Sequence, residues 1–378
     1  MMTSLRLASI ALALAAPLAA QGNISTQGYG YPQGQLTTRA LSMGGGIGEV
    51  DASSALNPAS IGRLTNRTVL FQIEPEFRTI TSGTNVDKTT TARYPLVNIG
   101  VPFGARWVIG VSASTLLDRS WSTTTVRTET IGTDLVETTL DESSNGAMND
   151  LRLATAWTNH SWLYVGLGVH GVTGRNVVNS AEQFGDSSFN AFTNTRLLSY
   201  TGSAVSAGAQ LTSSAINTVV GLSYRMGNAL RVRANDTILA RGAVPDRFGV
   251  SLAFTGIPGT VLAARAAHDG WSSMTPMLTR PGDRAHDSWD LGGGAEVIGP
   301  RVLGQTLLVR AGARTRTLPF EASAKAVTEK SLSFGSGVSF GNGRMSADGT
   351  VVRQWRDAGL PSVKERAWTL SFSLTARP

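Results

Sequence analysis

The stretch Trp368-Thr369-Leu370-Ser371-Phe372-Ser373-Leu374-Thr375 decides the fold, because every even position is apolar and every odd one carries a hydroxyl. Successive side chains of a β-strand point to opposite faces, so this segment has one greasy face and one wet face. Leu332-Ser333-Phe334-Gly335-Ser336-Gly337-Val338-Ser339-Phe340 follows the same rule, with Ser and Gly on the wet side. A soluble β-sandwich also alternates, but its bulky apolar faces meet in a shared core. A membrane barrel turns the bulky face to lipid and the polar face to a lumen. Arg310, Gly312, Arg314 and Arg316 fall on one side of a strand and suit such a lumen. They are expected to pair with lumen carboxylates such as Asp290 or Glu296, the alternative being attraction of an anionic head group.

Connection lengths point the same way, since outer-membrane barrels alternate short periplasmic turns with longer outer loops. Tight turns fall near residues 103–105, 159–160, 212–215, 257–259, 299–301 and 341–343. Wider polar connections fall around 81–88, 131–134, 178–193, 235–243, 271–287, 319–327 and 356–363. Between them the pattern predicts strands at 67–80, 89–102, 105–130, 135–158, 161–177, 194–211, 216–234, 244–256, 260–270, 288–298, 304–318, 328–340, 344–355 and 365–376. The expected fold is therefore all-β: a transmembrane outer-membrane barrel of about fourteen antiparallel strands, an even number as single-chain bacterial barrels require. The third and fourth strands are long enough to project beyond a bilayer. Trp107, Trp162 and Phe340 sit where strands meet turns, the place of an interfacial aromatic girdle.

Composition agrees. Residues 1–20 have the three parts of a signal peptide: Arg6, the apolar run Leu7 to Leu14, and small residues at Ala15, Ala16, Ala19 and Ala20. Cleavage is expected after Ala20, leaving a mature chain of about 358 residues. The chain holds 42 Gly and only 16% charged residues with no shift along its length, which favours one continuous architecture. No mature segment has the run of roughly 20 apolar residues that a spanning helix needs. With no Cys, disulfides and thiolate metal sites are excluded. The net charge of +7 comes from 29 Arg and 4 Lys scattered singly, with no basic run, so no nucleic-acid partner is expected.

Residues 21–66 do not alternate. They run through Gly28, Tyr29, Gly30, Tyr31, Pro32 and Gly34 to Arg39-Ala40-Leu41-Ser42-Met43-Gly44-Gly45-Gly46, and then to Asp51-Ala52-Ser53-Ser54-Ala55-Leu56-Asn57-Pro58-Ala59. Such a segment is either a periplasmic tail or a plug whose small residues pack against the wall, with Asn57-Pro58 starting a turn or capping a short helix. This stretch resembles the N-terminal hatch of the FadL-type long-chain fatty-acid and hydrocarbon transporters and their PorV-like relatives, which carry similar Arg-Ala, Met-Gly-Gly, Asp-Ala-Ser and Asn-Pro-Ala runs. The similarity continues in Val244-Pro245-Asp246-Arg247-Phe248-Gly249, Asp269-Gly270-Trp271-Ser272, Val309-Arg310-Ala311-Gly312 and Leu318-Pro319-Phe320. Leu56 stands where family members often have an aromatic residue, and the chain ends on Arg377-Pro378 rather than on an aromatic.

The resemblance implies a fourteen-stranded barrel in the bacterial outer membrane, plugged by its N-terminal segment. The organisation is then a signal peptide at 1–20, a hatch at 21–66 and a barrel at 67–378, with Arg39, Gly44, Gly45, Asn57 and Pro58 as hatch residues facing the lumen. It also implies passive uptake of hydrophobic small molecules such as long-chain fatty acids, with no enzyme activity, cofactor or metal. Partners are outer-membrane lipid and a hydrophobic small-molecule ligand. A PorV-like secretion-associated or structural protein with an envelope protein partner, using loops 178–193 and 271–287 for docking, is the alternative. An open porin is a third reading.

Motifs for other chemistry do not fit their surroundings. Gly337-Val338-Ser339-Phe340-Gly341 matches a nucleophile elbow, but Ser339 continues an alternating face and leads into a hairpin instead of a helix. Gly44-Gly45-Gly46-Ile47-Gly48 has Glu49 in place of the third spaced glycine of a dinucleotide fingerprint, and no Lys follows a Gly as a P-loop demands. His268-Asp269 and His286-Asp287 flank the loop around Trp271 and read as solvated loop residues rather than metal ligands. A Ser/His/acid set assembled across strands would escape detection, because sequence does not align one strand with the next.

Overall fold

The computed structural model describes residues 24–27, 29–131, 134–186, 188–278, 283–302, 304–321, 326–359 and 363–378; the expected signal peptide lies outside them. The wall is a closed antiparallel barrel of 14 strands. In chain order these are β1 Thr68–Ser82, β2 Asn85–Phe103, β3 in two pieces (Trp107–Asp118 and Trp121–Ile131), β4 Asp134–Thr158, β5 Leu163–Phe184, β6 Phe192–Ser213 and β7 Thr218–Ala234. They continue with β8, again in two pieces (Thr237–Ala243 and Arg247–Phe254), β9 Thr260–Asp269, β10 Ser288–Val302, β11 Gln305–Thr317, β12 Thr328–Phe340, β13 Met345–Asp357 and β14 Val363–Ala376. Each strand pairs with its sequence neighbour, and β14 closes the sheet on β1 from Val363↔Ser82 to Ala376↔Val69. Closure satisfies the backbone groups that a lipid-facing edge would leave bare.

The alternation has the predicted sense. In β14, Trp368 and Phe372 are each 48% exposed, whereas Thr369 is 5% exposed and Ser371 is fully buried. Ile109, Leu153, Leu167, Val169 and Leu332 continue the exposed apolar surface on other strands. At the short-turn end Trp107 and Trp162 are exposed, and Phe103 stacks on Trp107 at 6.4 Å. Gly341, Asn342 and Gly343 all have positive φ, so Ser339 lies within a strand that runs to Phe340 and into a hairpin, not at a nucleophile elbow.

Several connections are narrower than the polar composition suggests. The 178–193 stretch is largely strand, since β5 runs to Phe184 and β6 starts at Phe192. The 235–243 stretch supplies the first piece of β8, which pairs with the outer end of β7. Threonine and β-branched residues tolerate an extended, solvated ribbon as readily as a loop, so polarity did not distinguish the two. The 25 residues of β4, at about 3.3 Å each, reach roughly 80 Å, far more than the roughly 10 residues a membrane strand needs. The strand expected at 105–130 breaks at Arg119-Ser120 between its two pieces.

The connection after β9 also departs from expectation. Within the polar connection expected at 271–287, Trp271–Met277 forms a 3-10 turn whose Trp271, Met274 and Met277 are buried. They join Tyr29, Leu117, Met148, Tyr200, Leu230 and Phe320 in an apolar cluster at the long-strand end of the lumen. Trp271 and Tyr29 both pack on the Phe320 ring, at 5.9 and 4.5 Å.

Candidate functional site

The N-terminal segment occupies the lumen. It contacts inward-facing residues of strands all round the wall, which a periplasmic tail would not. Thr38 binds Gln72 of β1 and Ser371 of β14, and Arg39 binds Glu296 of β10. Glu49 binds Ser223 of β7, Ser251 of β8 and Arg265 of β9. Asn57 reaches the Ala209 carbonyl of β6, and Gln35 reaches Ser114 of β3 and Asp150 of β4.

Local sequence explains the shape. Thr37 caps the short helix Thr38–Ser42 by accepting from the Ala40 N–H. Asn57 then caps the 3-10 turn Pro58–Arg63 by accepting from the Ala59 N–H at 2.9 Å, with Pro58 in the first turn, where a missing N–H costs nothing. Asn57 Nδ2 donates to the Glu49 carbonyl at 2.8 Å, so one side chain joins two halves of the segment. Asn57→Ala should loosen residues 57–63 by about 1 kcal/mol, the usual worth of an N-cap. Hydrogen exchange confined to that turn would register the change, and unchanged protection would refute it.

Of the five expected lumen residues, Asn57 and Pro58 lie together against β5 and β6. Arg39 stands apart, its guanidinium in a two-pronged pair with Glu296 at 2.7 and 3.0 Å. Gly44 and Gly45 turn the chain after the helix with φ of +61° and +84°. At Gly44 a Cβ would fall 2.3 Å from the Ala313 carbonyl oxygen, so backbone meets backbone there and no other residue fits.

The three lumen arginines of β11 are paired with carboxylates. Arg310 bridges Glu296 and Asp348, Arg314 grips Asp290 with two nitrogens, and Arg316 meets Glu329 at 2.7 Å. The Tyr31 ring is surrounded by four guanidiniums, with Arg356, Arg316, Arg93 and Arg78 at 4.6 to 5.7 Å from its centroid. Tyr31 and Glu49 organise these networks, and neither carries a signal in sequence because partners such as Arg316 of Tyr31 and Arg247 of Glu49 lie 285 and 198 residues away. His268, His286 and their aspartates form no common site: His268 packs on Trp289, His286 meets Glu321, and Asp287 accepts from the Ser272 N–H.

Two cavities flank the N-terminal segment. At the short-turn end, one of about 470 Å³ is lined by Arg39, Ile47, Val50, Arg63, Leu308 and Arg310. At the long-strand end, one of about 560 Å³ has walls of Leu198, Val232, Leu239, Met277 and Leu278, with Tyr29, Arg119, Trp121 and Arg196 among its polar groups. Arg119 lies 4.2 Å from the Tyr29 ring centroid and donates to the Tyr200 hydroxyl. Its Nε, like Trp121 Nε1, is buried with no hydrogen-bond partner among the described residues. Burial pushes the Tyr29 phenol up to about 12, with the Arg119 charge drawing it partway back, so it stays protonated at neutral pH. The cavity thus joins an apolar wall to a polar side that carries Glu142, Ser180 and Asn194 beside the unpaired donors of Arg119 and Trp121.

No protein-family model and no curated protein matches the sequence. Solved structures do. A Pseudomonas aeruginosa FadL homologue superposes with a TM-score of 0.62 at 14% identity, over 92% of this chain and 99% of that one. The fold is that of the FadL-type outer-membrane channels. The FadL-type fold is shared also with the CymD monoaromatic hydrocarbon channel (TM-score 0.58, 14% identity, 91% of this chain and 97% of that chain). The Ralstonia pickettii toluene transporter TbuX likewise matches at a TM-score of 0.58 and 14% identity, over 90% of this chain and 98% of its own. Two of these neighbours are named as a hydrocarbon channel and a toluene transporter.

Proposed function

We propose that the protein sits in the bacterial outer membrane, its exposed apolar belt against lipid, and lets hydrophobic small molecules pass inward by passive diffusion. The observation that carries this reading is the 560 Å³ cavity at the long-strand end, directly above a lumen filled by the chain's own N-terminal segment. Short turns mark the periplasmic end of such barrels, so the cavity opens on the outer side, where a passenger arrives. A pocket of this size, with one apolar wall and one polar side, suits one small amphipathic ligand. FadL-type neighbours named as toluene and monoaromatic hydrocarbon channels support the class of passenger.

The finer reading is a passenger with an acceptor-bearing head, such as a long-chain fatty acid. The unpaired Arg119 Nε and Trp121 Nε1 would receive a carboxylate, while Leu198, Val232 and Met277 cover its tail. Native mass spectrometry of the detergent-purified chain, followed by lipid extraction, tests both levels. A co-purifying fatty acid or hydrocarbon supports uptake; an empty barrel that brings down a stable protein partner favours the docking alternative. Arg119→Leu should weaken laurate binding by roughly tenfold, the loss of one charge-assisted hydrogen bond, while leaving decane binding unchanged. Equal losses for the two probes would remove the head-group assignment.

A further inference from the structure

Asp150, His170 and Ser206 stand on adjacent strands β4, β5 and β6, all buried and all facing the lumen. Asp150 Oδ1 lies 2.8 Å from His170 Nδ1, and His170 Nε2 lies 2.8 Å from Ser206 Oγ. The carboxylate is steadied from its other oxygen by Gln35 Nε2 at 3.1 Å and Arg225 Nη1 at 3.4 Å. A carboxylate on Nδ1–H fixes the tautomer in which Nε2 accepts from the serine hydroxyl, the wiring that makes serine a nucleophile.

A donor for negative charge stands beside the relay. Arg152 faces His170 across the β4–β5 ladder, and its Nη2 donates to the Ser54 carbonyl. Its Nε and Nη1 are buried with no hydrogen-bond partner among the described residues. Opposite Ser206 in the β5–β6 ladder is Gly168, where a Cβ would come within 2.6 Å of Ser206 Oγ and 3.5 Å of Arg152 Cδ. With no side chain there, nothing separates the hydroxyl from the guanidinium stem. Buried N–H groups held ready for a developing oxyanion are what acyl transfer uses.

We propose that Asp150, His170 and Ser206 form a hydrolytic site for carboxylic esters of apolar acids, uncovered when a passenger displaces the N-terminal segment. The cover belongs to that segment: Gln35 on Asp150, Ser54 on Arg152, and Asn57 against Gly208. Ser206 Oγ bonds to the ester carbonyl carbon as its proton moves to His170 Nε2, and Arg152 receives the oxyanion. The C–O bond to the alcohol breaks, and the alcohol leaves with the proton from Nε2. Water then gives a proton to Nε2 and adds to the acyl carbon; the C–Oγ bond breaks and Oγ regains its proton. Ester and water become acid and alcohol, with no change of oxidation state.

This inference rests on the uptake reading, and one pair of probes separates the two. Full-length protein in detergent is treated with a dodecyl fluorophosphonate, and uptake of the unreactive dodecyl phosphonate diester is followed in proteoliposomes. The expected result is a covalent adduct mapped to Ser206, absent in Ser206→Ala and formed at least roughly a hundredfold more slowly in His170→Gln. Both variants are checked for the heat-modifiable gel mobility of a folded barrel. If the diester enters and Ser206 stays unmodified, or the adduct forms as fast in His170→Gln, the hydrolytic site is overturned and the channel stands. If the diester is excluded, both readings fall.

Discussion

Deleting residues 22–60 should turn a shut barrel into a conducting one, raising single-channel conductance in planar bilayers by roughly tenfold or more. A barrel of this girth leaves an aqueous lumen when nothing fills it. Here the filling comes from the chain itself, because Leu36, Ala40, Met43, Ile47 and Leu56 pack in one cluster with Ala253 and Ala263 of the wall. The wall does not depend on this segment for closure, since β14 pairs with β1 through backbone hydrogen bonds of its own. The deletion variant should therefore still fold and insert. Unchanged conductance in a folded, inserted variant would mean that the segment does not plug the pore, and that the outer cluster around Trp271 and Phe320 closes it instead.

Glu49→Ala is expected to give the largest effect of any single substitution on the seating of the plug. Glu49 is completely buried, with one carboxylate oxygen 2.5 Å from Arg247 and 3.4 Å from Arg265, and the other accepting from Ser223 at 2.5 Å. Its backbone is engaged as well, the N–H donating to Ser251 and the carbonyl accepting from Asn57 and Gln210. Removing one partner of a buried ion pair leaves the other charge uncompensated, at a cost of about 3–5 kcal/mol. Arg265 keeps Asp290 and Arg247 keeps a looser contact with Asp269 at 3.6 Å, which places the effect near the lower end, about 3 kcal/mol. Limited proteolysis of residues 35–60 should accelerate accordingly, while the barrel keeps its heat-modifiable mobility. Glu49→Gln should recover part of the loss through the Ser223 contact, and equal cleavage rates in all three proteins would show that Glu49 does not seat the plug.

The two variants also bear on each other. If conductance opens only on full deletion and not in Glu49→Ala, the segment has loosened without leaving, which is the behaviour expected of a plug that a small passenger must pass. Passage would then need only local rearrangement of residues 35–60, consistent with their anchoring at several separate points rather than in one interface.

The sequence alone determined the wall. Alternation at Trp368–Thr375, the sense of that alternation and the spacing of the turns specified fourteen strands with nearly the observed limits, because strand periodicity is local: each residue's face depends only on its neighbours. It also marked Asn57-Pro58 and Gly44-Gly45 as positions with special backbone duties, since caps and left-handed turns are likewise short-range. Where extended and looped states have similar local preferences, as at 178–193 and 237–243, the local signal was silent and pairing with a neighbouring strand decided. Tertiary structure alone decided what the lumen contains. Glu49 meets Arg247, Tyr31 meets Arg316 and Asp150 meets His170 only once the sheet closes and strand registers are fixed. A slip of one residue in a wall strand would turn its own Arg247, Arg316, Asp150 or His170 out to lipid, and register is a property of the closed sheet rather than of any one segment.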